Sequence, residues 1–332
     1  MILLDKSFNL NLISKYRTQL MGIATVLILL CHAPANGVVM PALLDKAMRW
    51  GGVGVHFFLF LSGLGMYYSL RKKKSILEWY KRRYLRILIP YFVFAVPYYI
   101  FRLVVDGDGI IHFLGNISTI SFWTRHEGAW FVAMLIPLYM LTPLFASIID
   151  GAKYRWISTI ILCGLAIVGA SVNNSDEIRM CLAHLPSFFV GYYIAFYVSN
   201  DIEVRCSWIL LCFIAYFVVL FISVKKDFGF SRNWMLVLPG SVILAEGLNS
   251  KKMKSINKIF SFLGTISLES YLANIFLPVV LRKVGLVSFM QTFDAGNYVF
   301  YLIVVFAGVG LAYVGHIISE RVLVVIQNGN RK

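Results

Sequence analysis

One histidine closes the first long apolar run of the chain. In LMGIATVLILLCH at 20–32, His32 stands alone at the end of a predominantly apolar stretch, just before Ala33-Pro34-Ala35. An imidazole exchanges its proton near neutral pH, so it can take a proton from a hydroxyl that attacks an electrophile. The alternative use of such a group is a hydrogen bond to a neighbouring helix. A second signal is RKKKSILEWYKRRYLRILIP at 71–90, where eight of the sixteen residues from Arg71 to Arg86 are basic. Such a cluster attracts anionic lipid headgroups and orients a membrane protein. Within it, Lys81, Arg82, Arg83 and Arg86 fall three and four apart, a helix-face spacing whose guanidinium forks can grip phosphate. A third is GGVGVHFFLFLSGLG at 51–65, in which five Gly and Ser62 accompany His56. Small residues such as Ser62 and Gly63 let a second helix or an extended ligand approach the backbone.

These residues need a scaffold, and the composition names its kind. Of 332 residues, 59% are hydrophobic and 14% charged, far from a soluble globule. Apolar stretches of about 20 residues suit a bilayer core, and ten are expected: 18–36, 53–70, 85–105, 128–149, 156–173, 181–199, 207–224, 232–249, 260–281 and 297–326. The fold class expected is all-α, a polytopic transmembrane bundle forming a single domain over 1–332. The net charge of +15 would suggest nucleic acid in a soluble protein, but its distribution argues for membrane topology. With both termini cytoplasmic, 21 of the 31 Lys+Arg fall in inner segments and 10 in outer ones, the bias of the positive-inside rule. Ala33-Pro34-Ala35 loosely imitates a cleavage site, but the acidic and polar leader argues for an uncleaved first helix. The five cysteines show no metal-ligand spacing, so no metal is expected.

Helix rise then serves as a depth ruler at about 1.5 Å per residue. It puts His32, His56, His184, Asn274 and the mouth residues His126, Glu127 and Trp130 in one outer layer. Glu269 falls near the midplane, and His316 with Glu320 at the inner end of the last span.

Taken together, these stretches resemble the acyltransferase-3 family of bacterial integral-membrane O-acyltransferases over nearly the whole chain. The first helix ending in His32 resembles the family's first helix with its essential His. GVGVHFFLFLSG at 52–63 resembles G-x-x-G-V-x-x-F-F-x-x-S-G, and KRRYLRILIP at 81–90 resembles R-x-x-R-I-x-P. AWFVAMLIPLYMLTP at 129–143 and LGTISLESYLAN at 263–274 are similar to its W-F/Y-L…Y-x-x-x-P and L-G-x-I-S-L-x-x-Y-L-x-H segments. The pattern differs at three places: Met21 replaces an Arg, with Arg17 the nearest cation; His56 replaces an Asp; Asn274 replaces a His.

The resemblance implies transfer of an acyl group, most often acetyl from cytoplasmic acetyl-CoA, to a hydroxyl of a sugar or lipid-linked envelope glycan. It makes His32 the base and Arg82, Arg83 and Arg86, with Ser62 and Gly63, the acyl-CoA site. Asn274 and His56 are oxyanion donors by depth. Trp130 and Glu127 are acceptor contacts, the Trp by stacking on a sugar face. The expected partners are acyl-CoA, a carbohydrate acceptor and membrane lipids, with no nucleic acid, in the inner (plasma) membrane. The rival class is a transporter or flippase, whose polar layer would be a gate; the absence of an inverted repeat weighs against it.

Overall fold

The computed structural model describes residues 7–73, 75–225, 232–290, 292 and 295–329. The two termini lie outside these residues, as does Lys74 of the basic loop. A bilayer leaves backbone polar groups no water, so apolar runs form helices that satisfy their own hydrogen bonds. In chain order the elements are β1 (Ser7–Asn9), α1 (Asn11–Lys15), α2 (Arg17–His32), α3 (Ala42–Trp50), α4 (Val53–Arg71), α5 (Ile76–Val105), α6 (Ile110–Ile117), α7 (Ile120–Arg125), α8 (Trp130–Gly151), α9 (Arg155–Val172), α10 (Asp176–Ser199), β2 (Glu203–Arg205), α11 (Cys206–Lys225), α12 (Val237–Asn249), α13 (Lys254–Thr265), α14 (Ser267–Lys283), α15 (Leu286–Met290) and α16 (Gly296–Gly329). The fold is all-α apart from the short β1–β2 pair, antiparallel with Ser7 opposite Arg205.

All ten apolar stretches contain a helix, but they differ in length. Among the described residues, six helices are long and apolar enough to cross a membrane: Ala42–Arg71, Ile76–Val105, Trp130–Gly151, Arg155–Val172, Asp176–Ser199 and Gly296–Asn328. The count becomes seven if α13 and α14 are one broken span. The remainder of the ten fall short for visible reasons. α2 has 16 residues. The stretch 232–249 divides into a 3₁₀ turn, Asn233–Leu236, and the 13-residue α12, whose Pro239 sits in the first turn, where a missing N–H is harmless. The stretch 260–281 breaks at the non-helical Ile266.

The chain forms two compact units. The first takes its described residues from Met1–Ala24, Gly52–Lys73 and Leu141–Thr265. Its centre is the α4–α10 pair, packed backbone to backbone. A Cβ on Gly63 would lie 2.1 Å from the Phe188 carbonyl oxygen, and one on Gly191 would lie 2.0 Å from that of Phe60. The loops assigned by charge to the inner side meet within this unit. Lys15 Nζ and Tyr16 Oη each donate to Asn249 Oδ1 at 3.0 Å, and Arg71 reaches Asp150.

The second unit takes its described residues from Thr25–Gly51, Lys74–Met140 and Ile266–Lys332. Here α5, α14 and α16 pack together, with the Tyr98 and Phe276 rings stacked at 4.4 Å. Ala33 and Val38 join Phe300, Tyr301 and Val304 in a buried apolar cluster, so the segment after His32 is part of this unit's core. Its loops assigned to the outer side also meet: Lys283 Nζ lies 2.8 Å from Asp106, and Tyr298 Oη donates to the Val39 carbonyl.

Candidate active site

His32 is the last residue of α2. Pro34 opens a 3₁₀ turn, Pro34–Asn36, which Gly37 closes at φ +87°, a left-handed backbone that glycine adopts without a Cβ penalty. Asn36 Nδ2 donates to the His32 carbonyl at 2.9 Å, capping the helix end. Arg282 on α14 then donates to Asn36 Oδ1 at 2.8 Å and to the Ala35 carbonyl at 3.4 Å. Two turns earlier on α14, Asn274 Nδ2 hydrogen-bonds Nδ1 of the His32 ring. One helix therefore fixes both the turn and the imidazole, because residues eight apart fall on one helix stripe. The ring is half-buried and Asn274 is buried. Asn274 Oδ1 has no hydrogen-bond partner among the described residues.

One turn before Asn274, Tyr271 Oη accepts the backbone N–H of Phe131 at 3.1 Å. That bond anchors the start of α8, where Trp130 lies half-buried and edge-on to the Phe131 ring. The loop leading in is tightly wound, with His126 at φ +58° and Gly128 at φ +96°. A Cβ on Gly128 would touch the Tyr99 hydroxyl at 3.0 Å. Glu127 Oε2 is buried without a partner among the described residues, as are both side-chain polar atoms of Asn116. The Asn116 carbonyl receives the Tyr91 hydroxyl at 2.7 Å. Native interiors leave few such atoms unpaired, so these groups need an explanation.

Glu269 and His316, assigned to different depths by the ruler, meet in this unit with His316 Nδ1 2.9 Å from Glu269 Oε1. The break at Ile266 explains the difference. α14 starts at Ser267, so Glu269 occupies a first helical turn, where a carboxylate is favoured, and is not deep inside one long span.

His56 belongs to the first unit. Its buried ring lies 2.8 Å from Ser187 Oγ and stacks on His184, with centroids 4.5 Å apart. His184 Nδ1 donates to the Met180 carbonyl at 2.7 Å. Ser187 was not signalled by the sequence; it lies one residue from Phe188, whose backbone Gly63 contacts. The Gly63 face is thus occupied by helix packing, while Ser62 is half-buried. Arg17 extends over the same helix: its Nε donates to the Leu61 carbonyl at 3.0 Å, and a Cβ on Gly65 would meet its guanidinium at 2.7 Å.

The basic loop is used in two ways. Arg71 Nη2 lies 3.0 Å from Asp150, which also receives the Tyr192 hydroxyl at 2.7 Å. Arg71, Lys73, Ser147, Asp150 and Tyr192 line a cavity of about 300 Å³. In the second unit, the first turns of α5 bury Trp79, and the Tyr80 and Tyr84 hydroxyls donate to the Met140 and Ile136 carbonyls at 2.8 and 3.0 Å. The other side of that helix exposes Arg82 and Arg86, with Arg83 half-buried. Among the described residues no group of three or more His, Cys, Asp or Glu could hold a metal ion.

Apolar helices of spanning length with an imidazole held by a buried carboxamide define a multi-pass membrane protein with the groups for proton transfer. The family model described as an acyltransferase domain matches residues 19–317, and the chain belongs to this acyltransferase-3 family. No curated protein and no solved structure matches it.

Proposed function

We propose that the protein is a membrane O-acyltransferase that moves an acyl group, acetyl foremost, from acyl-CoA on the cytoplasmic side to a hydroxyl of a sugar or lipid-linked envelope glycan. The observation that carries this reading is the half-buried His32 ring hydrogen-bonded to Asn274 in a chain of an acyltransferase family. His32 takes the proton of the acceptor hydroxyl as its oxygen attacks the thioester carbonyl. The exposed Arg82 and Arg86, with Arg83, offer charge to the phosphates of CoA. Trp130 stacks on the sugar, and hydroxyls of the acceptor would satisfy Glu127 Oε2 and the Asn116 amide, both without partners among the described residues. The protein lies in the inner membrane with both termini cytoplasmic, the shorter α2, α11 and α12 and the bent α13–α14 pair crossing beside the six long helices to make about ten spans.

The test is transfer of radiolabel from acetyl-CoA to an envelope polysaccharide fraction by the purified protein. His32→Ala should insert and bind acyl-CoA while transfer falls by at least about 10²-fold, the usual loss on removing a general base. His32→Gln, which hydrogen-bonds but cannot take the proton, should fail equally. A Gln variant with near-native transfer would make His32 a structural hydrogen bonder.

A further inference from the structure

The neighbour of an imidazole decides which of its two nitrogens carries the proton. Nδ1 of His32 faces the Asn274 carboxamide, so Nε2 is the nitrogen left to meet a substrate. With the amide nitrogen turned to the ring, its N–H donates to Nδ1, Nδ1 keeps its lone pair, and the neutral ring carries its proton on Nε2. A ring in that form donates at Nε2 and cannot accept there. The same orientation leaves Asn274 Oδ1 buried with no partner among the described residues, a costly state for an amide oxygen. A half-turn of the carboxamide exchanges two ends of nearly equal shape. It sets Oδ1 on Nδ1, gives the orphaned oxygen a donor, and requires the ring proton on Nδ1. Nε2 then holds the lone pair that a base needs.

We infer that Asn274 is the positioning residue that holds His32 in its Nδ1–H form, by accepting that hydrogen bond at Oδ1. The inference rests on the base role proposed above for His32. Cys-His-Asn proteases divide the labour in the same way, with a carboxamide orienting the base. The proton inventory closes without Asn274 ionising. The acceptor O–H bond breaks, its proton moves to Nε2, and the oxygen bonds to the thioester carbon. When the C–S bond breaks, that proton passes from Nε2 to the departing sulfur and the neutral ring is restored. The Nδ1–H bond to Asn274 persists throughout. The hold of Asn36 and Arg282 on the turn after His32 keeps the ring where the amide reaches one nitrogen only.

The experiment uses the full chain in lipid nanodiscs with ¹⁵N-labelled histidine, the His32 signals being assigned by their absence in His32→Gln. The wild type should show a protonated Nδ1 and a bare Nε2 at a pH where the ring is neutral. Asn274→Asp, whose carboxylate accepts at the same place, should keep that form. Asn274→Leu, similar in volume without an acceptor, should return the ring to the Nε2–H form preferred by free histidine. Its kcat should fall by about 10²- to 10⁴-fold, the range for removing a base or its orienting partner, with KM little changed. If the Leu variant misfolds, Asn274→Ala carries the same comparison. An Nε2–H ring in the wild type, or a Leu or Ala variant with the wild-type tautomer, overturns the inference. Absence of acyl transfer from the wild type with every acceptor would instead sink the acyl-transfer reading, and the ring spectrum would still decide the role of Asn274.

Discussion

Replacing Gly63 with Ala separates two uses of the small-residue stretch on α4. The added Cβ would sit 2.1 Å from the Phe188 carbonyl oxygen and 2.9 Å from the Tyr192 nitrogen, where real Cβ contacts stay beyond 3.0 Å. The obstacle is backbone, so no rotamer relieves it, and α4 and α10 must part by roughly 0.9 Å merely to bring that contact out to 3.0 Å. The same displacement would stretch the 2.8 Å contact between His56 and Ser187 to roughly 3.7 Å, beyond hydrogen-bond range. Overpacking of this kind costs about 1–3 kcal/mol, and the lost hydrogen bond adds about 1 kcal/mol. The total, roughly 2–4 kcal/mol, corresponds to a melting temperature lower by roughly 3–6 °C for a chain of 332 residues. Thermal unfolding in detergent, followed by size exclusion, reads it. Gly164→Ala in α9 is the control, because a Cβ there meets nothing within 4 Å, and Ala in a helix interior is neutral or better than Gly. Native melting of Gly63→Ala would refute the close approach of the two helices. Native melting together with weakened acyl-CoA binding would assign Gly63 to the ligand.

Three further outcomes are expected. Arg83→Ala with Arg86→Ala should weaken acyl-CoA binding, measured by calorimetry on membrane-inserted protein, and Arg→Lys should restore it only in part because Lys lacks the planar fork; unchanged affinity in the double variant would leave the cluster a topogenic one. Reporter fusions after residues 75 and 330 should both report the cytoplasm, and an external signal at either would break the ten-crossing map. Asp106 is held below the usual carboxylate range, first by its hydrogen bond to Lys283 and then by Arg102. A lowered folded value stabilises above the unfolded one and is lost as pH falls through the folded value, so hydrogen-exchange protection factors across 105–112, taken relative to intrinsic rates at each pH, should hold down to about pH 4 and fall below it. Asp106→Asn should show low protection at every pH, and a wild type whose protection falls already between pH 7 and 5 would contradict the tether.

The helices were legible because a bilayer demands long apolar runs, and such runs are visible without any knowledge of partners. Breaks within a run were not. Hydropathy is continuous across Ile266, and only the backbone shows that α14 begins afterwards, which moves Glu269 into a first turn and against His316. The short helices α6 and α7, eight and six residues long, lie between the expected spans 85–105 and 128–149, because nothing so short registers as a crossing. They carry Asn116, whose buried amide had no sequence signal, and they lead to the wound turn at His126–Gly128.

The candidate site divides along the same line. His32 stood out as a lone imidazole after an apolar run, and Asn274 as a departure from a family pattern, but 242 residues separate them, so no spacing rule could pair them. Their contact gives the departure a physical meaning. A histidine at 274 would place two titrating rings side by side, and two such groups share macroscopic ionisations that belong to neither alone. A carboxamide removes that coupling: its oxygen accepts the Nδ1–H bond whether the His32 ring is neutral or charged, and it takes no proton itself. On the proposed assignment, the pair therefore contributes a single ionisation, that of His32, and the replacement of His by Asn changes how the base is held without removing the base.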